Sequence, residues 1–122
     1  MIRIAVCDDD TDSIINNQTI LKNCLSLQKA VAEIQTYNNG RMLLSDILED
    51  HSYFDLLLLD IEMPDISGIK IAEYLKKEGR NKNIVFITSY DNLVFRSLEC
   101  YPFAFIRKKN VETEIPKMIE QF

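Results

Sequence analysis

The 122-residue chain has no tryptophan, one histidine, and only three each of glycine, proline and cysteine. Each scarcity closes off a class of protein. Few glycines and prolines rule out a low-complexity or fibrous chain. Cys7, Cys24 and Cys100 form no CxxC pair, and three thiols cannot all pair within one chain, so they read as small buried thiols in a reducing cytoplasm. One histidine, His51 beside Asp50, is too few for a histidine-based metal centre, and it reads as a surface residue. No apolar run approaches transmembrane length, and no signal peptide is visible where Met1-Ile-Arg-Ile-Ala-Val meets Cys7-Asp8-Asp9-Asp10. A cytoplasmic location without membrane contact is expected. Basic charge is also short: 14 Lys and Arg against 19 Asp and Glu leave a net charge of −5. These residues therefore lack the footprint of a nucleic-acid-binding surface.

What remains is a single-domain length with 47% apolar and 27% charged residues. That is enough chain to bury a core without disulfides or a structural metal. Apolar runs alternate with amphipathic stretches along its length. Ile2 to Cys7 reads as a strand, followed by a helix that Thr11 can cap, with Ile14, Leu21, Cys24 and Leu25 near helical spacing. Val31 to Tyr37 alternates like a strand with one wetter face, and Asn38-Asn39-Gly40 marks a turn. Met42, Leu43, Ile47 and Leu48 give a second helix its apolar face. Leu56-Leu57-Leu58-Leu59 is too short for a helix, and its unbroken apolarity fits a central parallel strand. A loop with Pro64 and Gly68 leads to a helix from about Ile69 to Glu78 that stops at Gly79. Ile84 to Ile87 forms the fourth strand, Asp91 caps a helix over Leu93 to Glu99, and Pro102 to Ile106 forms the fifth. A last helix runs to Phe122, with Pro116 expected in its first turn, where a missing N–H does least harm.

Five strands alternating with five helices imply an α/β fold, doubly wound around a parallel sheet of order 2-1-3-4-5. Its ligand crevice lies outside the carboxyl ends of strands 1 and 3. Four chain-distant groups then meet at one sheet edge: Asp8-Asp9-Asp10, Asp60, Thr88, and the basic run Arg107-Lys108-Lys109. Carboxylates packed this closely repel unless one is protonated or a cation joins them. Mg²⁺ suits a site with few protein oxygens and several waters. A cation, a hydroxyl and an ammonium around an aspartate are the parts of a phosphoryl-transfer site.

These residues resemble the signature set of response-regulator receiver domains of the CheY-like superfamily. The set is Asp8-Asp9, Asp60-Ile-Glu-Met-Pro64 with Gly68, Thr88-Ser89 and Lys108, and the resemblance spans the chain. It implies that Asp60 accepts a phosphoryl group from a sensor histidine kinase. It also implies that Mg²⁺ is held by Asp60 itself together with Asp9 directly, Asp8 through water and Glu62 through its backbone carbonyl, while Thr88 and Lys108 contact phosphoryl oxygens. Thr88 and Phe105 would form the conformational switch. Glu62 and Tyr90, two residues beyond Asp60 and Thr88, would tune hydrolysis of the acyl phosphate toward a slow rate. Such a domain signals and catalyses only its own phosphorylation and dephosphorylation. It could form a homodimer once phosphorylated.

The family usually has proline after the lysine of strand 5, joined by a cis bond, whereas Lys109 follows Lys108 here. A non-proline cis bond costs roughly 2.5–4 kcal/mol. Either that strain is tolerated or the bond is trans, and Arg107 or Lys109 are then open as donors of the contact. Residues 87–91 and 101–108 look like receivers that precede LytTR-type DNA-binding domains. DNA contact and transcriptional control would then fall to an output domain beyond residue 122. Two other functions fit parts of the pattern. A pseudo-receiver binding module would keep the fold without phosphorylation. A haloacid-dehalogenase-type phosphatase would use Asp8-x-Asp10-x-Asp12 as its nucleophile loop. An FMN carrier shares the strand order, but the acidic loop would repel the FMN phosphate.

Overall fold

A computed structural model of the chain describes residues 1–50, 52–80, 83–89 and 102–122. The expected helix over Leu93–Glu99 with its Asp91 cap lies outside the described residues, as do His51, Tyr90, Cys100 and Tyr101. Within them, β1 (Ile2–Cys7), β2 (Ala32–Tyr37), β3 (Leu56–Asp60), β4 (Ile84–Thr88) and β5 (Ala104–Arg107) form one parallel sheet of order β2-β1-β3-β4-β5. The described helices are α1 (Thr11–Leu27), α2 (Gly40–Leu48), α3 (Gly68–Lys77) and, after a 3₁₀ turn at Lys108–Asn110, α4 (Val111–Gln121).

Strand alternation sorts the core into two layers. Ile4, Val6, Leu56, Leu58, Val85 and Ile87 face α1 and α4, meeting Leu21, Leu25, Ile115 and Ile119. Ala5, Cys7, Leu57, Leu59, Ile84 and Phe86 face α2 and α3, meeting Leu43, Ile47, Ile71 and Leu75. All five residues of β3 and of β4 are buried, as expected of central strands covered on both sides.

Local chemistry sets the helix ends, and it corrects two expectations. Asp10, not Thr11, caps α1: its carboxylate accepts the Asp12 N–H at 3.2 Å and the Ser13 hydroxyl at 2.9 Å. Asn39 caps α2 through the Met42 N–H at 3.0 Å, and Ser67 caps α3 through the Lys70 N–H at 3.1 Å. Gly79, with φ +67°, closes α3 in the left-handed region. Pro116 lies inside α4 and not in its first turn. The helix continues past it because Val111, Ile115, Met118 and Ile119 all reach the core, so their burial outweighs one lost backbone hydrogen bond. Two smaller differences concern exposure: Met42 is 57% exposed and not part of the apolar face of α2, and Cys24 is half-buried.

Candidate functional site

The site forms where β1 and β3, side by side, end in acidic residues. In the ladder Cys7 pairs with Leu59, so Asp8 emerges next to Asp60. Asp8 is 1% and Asp60 2% exposed, whereas Asp9 lies at the surface. One carboxylate oxygen from each of Asp8, Asp9 and Asp60 lies within 4.8 Å of the others. Lys108 enters from the far edge of the sheet, with Nζ 3.4 Å from Asp8 Oδ2 and 3.5 Å from Asp60 Oδ1.

That contact resolves the question of which basic residue reaches the site. Lys108 begins the 3₁₀ turn directly after β5, while Arg107 and Lys109 are exposed. No peptide bond among the described residues is cis, so Lys108 reaches the carboxylates across a trans bond to Lys109.

Backbone amides hold the inner carboxylates by one oxygen each. Asp8 Oδ1 accepts the Asp10 N–H at 2.9 Å, and Asp60 Oδ1 takes a long 3.4 Å contact from the Glu62 N–H. Asp8 Oδ2 and Asp60 Oδ2 are buried and accept no hydrogen bond from the described residues; Asp8 Oδ2 meets Lys108 as an ion pair. Burial, reinforced by the charge of Asp8, pushes the Asp60 carboxyl up to about 7, and burial also raises Asp8. Burial opposes the Lys108 ammonium, but the attraction of Asp60 and Asp8 together outweighs it and raises its pKa.

A buried Asp60 oxygen without a hydrogen bond from the described residues, a buried Asp8 oxygen met only by the Lys108 ion pair, and a third carboxylate beside them are what a small oxygen-seeking cation would satisfy. The neighbouring Cys7 thiol offers no soft alternative. Burial pushes it up to about 12, and its Sγ lies 3.7 Å from Met63 Sδ. The donor set therefore fits a hard divalent ion.

Thr88, fully buried, ends β4 one residue beyond Ile87, the ladder partner of Asp60. Glu62 is exposed in the loop after β3. Phe105 is half-buried and packs against the core layer that holds Phe86. Two residues of this loop have roles that sequence reasoning did not assign. Gly68 opens α3 so close to β3 that a Cβ there would overlap the Asp60 carbonyl, and its N–H donates to the Ile61 carbonyl at 2.9 Å. Asp65 reaches α2, where its Oδ2 accepts the Arg41 N–H at 3.0 Å. Gly68 stands in the recognised motif, so its signal was present; no local pattern pairs Asp65 with a helix 24 residues earlier.

The model of the response regulator receiver domain matches residues 4–120. The chain belongs to the response regulator receiver domain family. This receiver is 30% identical over 99 residues to the sensory transduction protein LytR of Staphylococcus epidermidis, covering 81% of this chain and 38% of that protein. It is 27% identical over 95 residues to accessory gene regulator protein A of Staphylococcus aureus, covering 77% of this chain and 40% of that protein. The receiver thus spans about two-fifths of the length of these curated relatives, which uphold the resemblance to LytTR-type regulators. In fold it is similar to the response regulatory domain of protein mrkE from Klebsiella pneumoniae, with TM-score 0.84 and 21% identity over 98% of this chain and 93% of that one. No helix among the described residues is long and apolar enough to cross a membrane.

Proposed function

We propose that this receiver takes a phosphoryl group from the phosphohistidine of a sensor histidine kinase onto Asp60, at a site completed by Mg²⁺. The observation that carries this reading is the buried Asp60 carboxylate. It is held by one oxygen and unpartnered at the other, with Asp8, Asp9 and the Lys108 ammonium beside it. A carboxylate oxygen of Asp60 attacks phosphorus in line, the new O–P bond forms as the N–P bond to the kinase imidazole breaks, and the imidazole leaves with the bonding pair. Asp8, Asp9 and Asp60, with the Glu62 carbonyl, are the residues that would hold Mg²⁺. When bound, the ion neutralises charge on the transferred group. Lys108 is close enough to both inner carboxylates to move onto a phosphoryl oxygen once Asp60 is esterified, and Thr88, buried at the same edge, offers a hydroxyl. Phe105 would move inward as Thr88 turns toward the phosphoryl group.

The name of the accessory gene regulator supports control of gene expression as the output, which we assign to DNA-binding residues outside this domain and to dimerisation on phosphorylation. The phosphatase reading finds less support: Asp10 is occupied as a helix cap and Asp12 lies in α1. Incubation with acetyl phosphate and Mg²⁺, followed by intact-mass measurement, tests the assignment. Wild type and Asp8→Asn gain one phosphoryl group, the latter more slowly, and Asp60→Asn gains none. Loss of the mass gain with Asp8→Asn alone would favour the phosphatase, and no gain in wild type, with acetyl phosphate or with phosphorylated kinases, would favour the non-phosphorylated module.

A further inference from the structure

The loop after Asp60 is fastened at two places, and only the first touches the site. At its far end Gly68 sits against the Asp60 carbonyl and hydrogen-bonds the Ile61 carbonyl. In between, the loop grips α2. Asp65 Oδ2 accepts the Arg41 N–H at 3.0 Å, while Asp65 Oδ1 is buried and accepts no hydrogen bond from the described residues. The next residue, Ile66, packs so tightly on Gly40 that a Cβ there would meet its Cγ2 at 2.5 Å and its carbonyl oxygen at 3.2 Å. Burial opposes the Asp65 charge, but backbone N–H groups of Arg41, Ile66, Asp65 and Gly40 prevail and hold its carboxyl below the usual range. Asn39 already caps α2 locally, so Asp65 is a second cap supplied by a distant segment.

We propose that Asp65 is a positioning residue that clamps the site loop to the first turn of α2 and so couples cation binding at the carboxylate cluster to that turn. The inference rests on the reading of Asp8, Asp9 and Asp60 as a Mg²⁺ site. A cation drawing Asp60 and the loop together tightens a segment whose other anchor is the Arg41 N–H. By linkage, a firmer anchor strengthens cation binding to the same degree. Asp65 touches no ligand and acts only through the loop. Residues that touch neither ligand but lie on the coupled element commonly change the coupling by about 2- to 30-fold.

The test uses purified wild type, Asp65→Ala and Asp65→Asn, with Mg²⁺ added while backbone amide exchange is followed residue by residue and Mg²⁺ affinity is read from amide shifts at Asp10 and Glu62. In wild type, Mg²⁺ slows exchange at Arg41. In Asp65→Ala that response disappears and Mg²⁺ affinity falls by about 2- to 30-fold. Asp65→Asn keeps an acceptor for the Arg41 N–H and restores most of both; should the alanine variant not fold, Asp65→Ser, whose side chain is too short to hold that contact, is read in its place. Mg²⁺ binding in wild type with no response at Arg41, or with an equal response in Asp65→Ala or Asp65→Ser, overturns the coupling and leaves the metal site standing. No Mg²⁺ binding in wild type overturns the metal site itself, and the coupling with it.

Discussion

The two edges of the sheet are built on opposite rules. At the amino-terminal edge, polar groups are tied off. Asp55 Oδ2 accepts the Arg3 N–H at 2.8 Å while the Asp55 N–H donates to the Arg3 carbonyl at 2.7 Å. Arg80 donates to the carbonyls of Ile47 at 2.7 Å and Ser52 at 2.9 Å, and Asn83 Nδ2 donates to the Asp55 carbonyl at 3.1 Å. At the carboxyl-terminal edge, two buried carboxylates stand beside each other, and each has an oxygen that accepts no hydrogen bond from the described residues. Satisfied hydrogen bonds hold a structure, whereas crowded, half-satisfied charges hold free energy that a ligand can release. One edge is therefore closed by its own hydrogen bonds, while the other is built as the proposed reaction requires.

The largest expected effect breaks the comparison at its reactive end. Asp60→Asn abolishes phosphoryl uptake in an intact-mass assay, yet metal-free protein at pH 8 melts higher than wild type. The substitution removes a charge that burial and Asp8 both oppose, a gain on the order of 1 kcal/mol or more. Arg80→Ala attacks the other edge. Losing two charge-assisted hydrogen bonds costs about 2–4 kcal/mol in urea unfolding, while phosphoryl uptake by the folded protein stays unchanged.

Gly68→Ala tests how far the reactive edge depends on fit. The added methyl must displace the Asp60 backbone, costing roughly 1–3 kcal/mol in thermal unfolding and slowing phosphorylation. The last test is a pH trend. Asp60 titrates near 7 in the folded protein against 3.8 for an ordinary aspartate, so the folded state holds its proton more tightly. The stabilisation is complete below about pH 4 and is lost as pH rises through about 7. The difference in melting temperature between Asp60→Asn and wild type therefore widens across that window without metal, and Mg²⁺ flattens it.

Much of this was legible in the chain. Leu56–Leu59 and Ile84–Ile87 read as central strands because burial on both faces demands unbroken apolarity, and both are fully buried. Strand order then brought Asp8 and Asp60 together on paper, since β1 and β3 are neighbours in this topology. Exact caps were less legible, because Asp10 and Thr11 both have capping side chains and only backbone geometry separates them. Pro116 misled because a local rule about helix interiors was outweighed by the burial of Ile115, Met118 and Ile119.

The sequence by itself determined the sheet, its order and the identity of the acidic cluster, because hydrophobic periodicity and strand-end placement are local properties that a fixed topology turns into neighbours. Tertiary structure alone decided which basic residue meets the carboxylates and what holds the loop beside them. Arg107, Lys108 and Lys109 are equivalent as a charge run, and only the turn after β5 aims Lys108 at Asp8 and Asp60. The Asp65 contact with α2 joins residues with no shared pattern, and it exists because two loops meet at one edge of the folded sheet.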